Sequence, residues 1–178
     1  LLILKEKMTI ISVSYIHQHT QDPYVDYEIG GTFRTLSNGS LLFNKTVYSE
    51  MRPGNDRMSI KLTTEENKMV WHTHPQNAGW WPSYEDLMRN DKIHMLFTKY
   101  GAWIFKNGKS IVVGYSEWHQ FHKHMLRTGP GFNSHRVYED IKQFSAYMKQ
   151  TYQFDITFIP YFLPRNAPVN DSLLRTLV

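Results

Sequence analysis

The chain contains no cysteine in 178 residues. That single absence narrows the folds open to it. No disulfide framework can staple it, and no thiolate can bind a structural zinc, an iron–sulfur cluster or act as a nucleophile. Thiolate ligands of the nucleobase-deaminase kind are excluded with them. A chain of this length must hold itself together by burying apolar surface, and it is long enough to do so as one domain. Its composition suits that: 41% hydrophobic, 20% charged and 15% aromatic, which is globular rather than disordered.

No apolar run approaches the roughly 18 to 20 residues of a membrane-spanning helix, so no membrane association is expected. The net charge of +4 comes without any dense Lys/Arg cluster. It reads as ordinary solvation, and a nucleic-acid partner is not expected. The start, Leu1-Leu2-Ile3-Leu4-Lys5, is too short and too early charged for a secretory signal. With the missing thiols, this gives an intracellular, cytoplasmic reading. The first methionine is Met8, which leaves a start there or a fragment of a longer chain.

Hydrophobic patterning gives an α+β class, with strands dominating the first half and helices entering later. Thr9 to Ile16 is rich in β-branched residues and reads as a strand, with a helix over Ser12 to Thr20 as the alternative. Tyr24 to Arg34 and Leu41 to Tyr48 read as two strands joined by the turn signal Ser37-Asn38-Gly39. Lys68 to His74 reads as a further strand, with another possible over Ser59 to Leu62. Ser83 fits a helix N-cap, with Glu85 and Asp86 in the first turn. His94 to Phe105 is expected to pair with Ser110 to Tyr115 across Asn107-Gly108. Helical spacing covers Trp118 to Leu126 and Ser134 to Thr151, and Phe154 to Phe162 reads as the last strand. Residues 1–162 are taken as a single domain and 163–178 as a tail.

The chemistry concentrates in His72-Thr73-His74-Pro75 and Pro82-Ser83-Tyr84-Glu85-Asp86. On a strand, residues two apart share a face, so His72 and His74 aim two imidazoles at one point. Asp86 can add a carboxylate from the next helix. Two imidazoles and a carboxylate suit zinc, and three protein ligands leave a fourth tetrahedral position open, as in catalytic sites. An isolated His-x-His pair is most often incidental; the Ser-x-x-Asp one loop later is what makes this one informative.

These segments resemble the JAMM/MPN+ (JAB domain) metallopeptidases, bacterial and viral branch. That family carries His-x-His-Pro, a short loop, Ser-x-x-Asp, and an upstream Glu before a glycine pair. Here Tyr27-Glu28-Ile29-Gly30-Gly31 supplies the last. The resemblance covers roughly residues 9–115. It implies a cytidine-deaminase-like JAB/MPN sandwich: a curved mixed sheet flanked by helices, with a helical C-terminal addition here. It also implies zinc on His72, His74 and Asp86, Glu28 as general base, and Ser83 as a hydroxyl stabilising an oxyanion. The activity implied is that of a zinc metalloprotease. It would be deubiquitinase-like, cleaving an amide bond in a ubiquitin-like conjugate or another protein or peptide. The loop from Pro75 to Pro82 is one residue longer than usual in the family, an insertion that can bulge outward.

Two rival readings are a catalytically inactive MPN-type interaction module and a basic nucleic-acid-binding protein. Trp80 and Trp81 sit in the loop between the ligands, so at least one is expected to be exposed as a substrate platform rather than both acting as loop anchors. His119, His122 and His124 crowd one segment beside Glu117 and read as a solvated helix face rather than a second metal site. His17 and His19 repeat the His-x-His spacing without a following Ser-x-x-Asp and are taken as surface residues.

Overall fold

The computed structural model describes residues 9–48, 68–76, 79–89, 91–106, 116–117, 119–120, 123 and 135–160. Among them, seven strands form one mixed sheet: β1 (Thr9–Ile11), β2 (Ile29–Thr35), β3 (Leu41–Tyr48), β4 (Met69–Thr73), β5 (Ile93–Phe97), β6 (Gly101–Lys106) and β7 (Asp155–Pro160). Their spatial order is β1-β3-β2-β4-β5-β6-β7. Helices α1 (Val13–Gln21), α2 (Tyr84–Leu87) and α3 (His135–Tyr152) accompany them. No helix among the described residues is long and apolar enough to cross a membrane.

The α+β class and the mixed sheet match the expectation; several element boundaries do not. The strand expected over Thr9 to Ile16 stops at Ile11, and the alternative helix takes over. The Ser12 side chain caps it by accepting the Tyr15 N–H at 3.1 Å. Val13 and Ile16 then point into the core, and that burial outweighs their strand propensity. The strand expected from Tyr24 begins only at Ile29. Asp22 holds the Tyr24 N–H at 2.9 Å and keeps the chain turning. The run from His94 to Phe105 is two strands, not one. Thr98 reverses the chain: its N–H and Oγ1 both reach the Gly101 carbonyl, at 2.9 Å each. At Gly101 a Cβ would collide with the Ile159 carbonyl of β7, so the reversal needs glycine there. The partners expected for Phe105 across Asn107-Gly108, and the strand over Ser59 to Leu62, lie outside the described residues. The Gly39 turn is as expected, with φ at 80°.

Side-chain alternation divides the core into two layers. Trp71, Ile93, Met95, Phe97, Ala102 and Ile104 face α1 and pack with Val13, Ile16, Phe33 and Phe43. Leu96, Trp103 and Phe105 face the other way and pack with Trp81, Leu87 and, from α3, Ile141, Phe144 and Met148. Register then assigns the histidines. Val70 pairs with His94 and His72 with Leu96, so His72 and His94 share the face of Leu96.

The strand pairing also explains where the site lies. β4 runs antiparallel to β2 but parallel to β5. A parallel pair requires a crossover connection. That crossover leaves the carboxyl end of β4 at His74 and carries α2 before returning at Ile93. Ser83 and Asp86 are thereby brought back beside the two histidines.

Candidate metal centre

His72 and Asp86 approach with Nε2 3.2 Å from Oδ1. His74 Nε2 lies 3.5 Å from the other oxygen, Oδ2, and 3.9 Å from Glu28 Oε1. All four side chains are buried. The structure therefore brings together every residue that the sequence motif singled out around Asp86, and Glu28 with them.

Asp86 and His74 are held by identifiable partners. Ser83 and Asp86 form a reciprocal cap: Ser83 Oγ accepts the Asp86 N–H at 3.1 Å, and Asp86 Oδ2 accepts the Ser83 N–H at 2.8 Å. This fixes the carboxylate in the first turn of α2. Ser83 thus has the capping role expected of it. Accepting that bond leaves its own O–H able to donate. His74 places Nδ1 2.7 Å from the Gly79 carbonyl, so Nδ1 carries a proton and Nε2 is the nitrogen turned toward Asp86. Thr73, between the histidines, accepts the Ile29 N–H at 3.0 Å. That bond ties the strand following Glu28 to the His-x-His strand.

The donor set fits a tetrahedral cation. Two ligand atoms about 2.05 Å from zinc and at the tetrahedral angle stand about 3.3 Å apart. The 3.2 and 3.5 Å separations bracket that value, His72 reaching one oxygen of Asp86 and His74 the other. Without a cation, protons must fill the same gaps. Burial alone pushes the His74 imidazole down, but hydrogen bonding to Asp86 and the charges of Asp86 and Glu28 raise it above its usual range. Burial pushes Asp86 up, yet the charges and hydrogen bonds of His72 and His74 outweigh this and hold it well below the usual carboxylate range.

Sequence reasoning missed His94. It was read only as the start of a strand, and a lone histidine in an apolar run carries no motif. Its Nε2 lies 2.8 Å from His72 Nδ1. Its Nδ1 is buried with no hydrogen-bond partner among the described residues. Burial, with the charge of His72 second, holds its pKa well below the usual value. His72, Asp86 and His94 form a buried group whose potential ligand atoms all lie within 4.8 Å of one another and could hold a metal ion.

The remaining expectations fare differently. Trp81 is buried, its ring 4.7 Å from both Trp103 and Phe144. It anchors the loop and is not an exposed platform. Trp80 is half-buried against Trp103, Tyr100 and Phe158, and its carbonyl accepts the Trp103 indole N–H at 2.9 Å. The eight-residue loop accommodates both indoles because the face of β6 offers Trp103 as a shared surface. Trp81→Ala should therefore destabilise by roughly 3 kcal/mol or more, as large aromatic truncations in cores do. Chemical denaturation checks this, and Trp81→Phe should recover most of the loss.

His19 is buried, contrary to the surface reading, with Nε2 2.9 Å from the Tyr27 carbonyl. Burial lowers its pKa, with Lys45 adding to the shift and the Tyr27 bond and Asp22 opposing it. The folded state thus resists a proton that the unfolded chain accepts near pH 6.5. Its stability contribution is present above that pH and is lost as pH falls below it. His19→Gln keeps an N–H donor but cannot titrate. It should flatten that acid-side slope, measured by denaturation from pH 7.5 down to 5. Glu117 accepts the Tyr152 hydroxyl proton, which engages the carboxylate a second metal site would have used. His119 lies in a helical turn; His122 and His124 are outside the described residues.

Comparison of the chain with protein-family models, with curated proteins and with solved structures finds no match.

Proposed function

We propose that this chain is a zinc-dependent peptidase or isopeptidase of the JAMM/MPN+ kind, with the JAB/MPN sandwich as its fold. The observation that carries the reading is the convergence of His72 Nε2 and His74 Nε2 on the Asp86 carboxylate, with Glu28 3.9 Å from His74. The sequence order of these residues is the family's order, and each imidazole Nε2 lies within 3.5 Å of an Asp86 oxygen. The proposed substrate is a ubiquitin-like conjugate or another extended peptide, in an intracellular, cytoplasmic setting.

His72, His74 and Asp86 would hold the metal. When bound, zinc supplies Lewis acidity that activates water and polarises a carbonyl. Glu28 stands beside the ligands without an assigned place among them. It takes one proton from the attacking water as the new C–O bond forms. It then delivers that proton to the leaving nitrogen as the C–N bond breaks, giving a carboxylic acid and an amine, between which the remaining proton passes to leave carboxylate and ammonium. Ser83, held at the start of α2, donates its hydroxyl proton to the oxygen that gains charge.

Elemental analysis of the purified chain, paired with hydrolysis of a panel of ubiquitin chains and extended peptides, tests the reading. About one zinc per chain and metal-dependent amide cleavage are expected. A protein that takes up no zinc, or that binds zinc and cleaves no amide across the panel, would favour the inactive interaction module.

A further inference from the structure

We infer that His94 is a positioning residue for His72, accepting the His72 Nδ1–H at its own Nε2 and so turning the His72 Nε2 lone pair toward Asp86. This rests on the metal-centre reading above and names a part of it that the sequence motif does not contain.

Geometry separates this role from that of a fourth ligand. His72 presents Nε2 to Asp86 and Nδ1 to His94. The two nitrogens of one imidazole point in diverging directions, so an ion on Nε2 is not shared by a group seated against Nδ1. The 2.8 Å separation between His72 and His94 is a hydrogen-bond distance, shorter than the roughly 3.3 Å edge of a tetrahedral zinc site. One proton must lie between the rings. If His94 donated it, His72 would carry its own proton on Nε2, aimed at Asp86, and could not bind metal. Metal binding therefore selects the arrangement in which His72 donates. His74 receives the same service from the Gly79 carbonyl at 2.7 Å; His72 receives it from a second imidazole.

The surroundings of His94 support a purpose other than stability. Its strand neighbours Ile93, Met95, Leu96 and Phe97 are all buried and apolar. Its ring lies 5.2 Å from that of Phe105. Whichever way the shared proton sits, Nδ1 has no hydrogen-bond partner among the described residues, either as an N–H or as a bare lone pair. A buried polar atom without a partner is costly. Phenylalanine would fill the same space without that cost but would leave the His72 Nδ1–H unanswered.

The test uses the full chain and zinc itself. Three quantities are read: zinc affinity by competition with a chromophoric chelator, melting temperature of the metal-free protein, and imidazole 15N shifts of the zinc-loaded wild type. His94→Phe should still bind one zinc, with a dissociation constant raised about 10- to 100-fold, the usual effect of removing a partner behind a ligand. Its metal-free melting temperature should equal or exceed that of the wild type. His94→Gln restores an acceptor and should recover part of the affinity. The 15N spectrum should show the His72 proton on Nδ1. His94→Phe binding zinc as tightly as the wild type would overturn the inference while leaving the metal centre standing. So would loss of zinc stoichiometry in His94→Phe but not in His74→Ala, which would make His94 a ligand. A His72 proton found on Nε2 in the zinc-loaded protein overturns it even where neither variant folds. A wild type that binds no zinc overturns both readings.

Discussion

Glu28→Gln should keep the fold, bind zinc to the same stoichiometry and lose at least ~10² in turnover, the scale on which general-base catalysis operates. The substitution is nearly isosteric, so a buried side chain at this position is exchanged without opening a cavity. Position 28 lies outside the proposed His72, His74 and Asp86 set, with its Oε1 3.9 Å from His74 Nε2. Metal content should therefore be insensitive to the change. What disappears is the proposed proton acceptor. Glu28 also helps to keep His74 protonated in the metal-free protein, so zinc should compete with the proton at least as well in the variant near pH 6. Kinetics on the zinc-loaded variant, with metal content measured in the same sample, decide the matter. Near-normal turnover would demote Glu28 to a structural residue at the head of β2.

Much of this site was legible because its chemistry is local in sequence. His72 and His74 share a face by strand alternation alone, and Ser83 with Asp86 is a cap that three-residue spacing announces. Glu28 was legible only through its motif; the physical reason it arrives is the antiparallel pairing of Gly30 with His72, reinforced by Thr73 on the Ile29 N–H. His94 could not be read in advance. Its contact with His72 depends on the parallel β4–β5 register, and nothing in the local sequence fixes which of two strands lies beside which. The tryptophans failed for a related reason. Trp80 and Trp81 look exposed in a loop read by itself, but Trp103 on β6 and Phe144 on α3 create a surface for them that only the tertiary arrangement supplies. Ser12 shows the reverse: a hydroxyl placed to cap a helix was a local signal that, with the burial of Val13 and Ile16, prevails over the β-branched run.

Asp86→Asn should have the largest effect on the metal. Asn keeps the side-chain volume and an oxygen that can still accept the Ser83 N–H, so α2 should remain capped. It removes the carboxylate that both imidazoles approach. Zinc affinity should fall by more than the ~10- to 100-fold that losing a partner behind a ligand costs, with His74→Ala close behind. The metal-free proteins should differ as well, within a definite pH window. Asp86 is held below its usual value of 3.8, so its contribution to stability is present above about pH 4 and is lost as pH falls through the folded value. His74 is held above its usual value of 6.5, so its contribution is fully present below that pH and fades as pH rises through the folded value. The two overlap between about pH 4 and pH 6.5. There the metal-free wild type should exceed Asp86→Asn in stability most clearly, and the gap should narrow toward pH 8. Zinc held as proposed should reverse the trend for the wild type, by displacing the His74 proton and binding more tightly as pH rises. Melting curves with and without zinc across pH 4 to 8 would show the two effects crossing. An Asp86→Asn protein that keeps one tightly bound zinc and shows no such window would remove Asp86 from the centre.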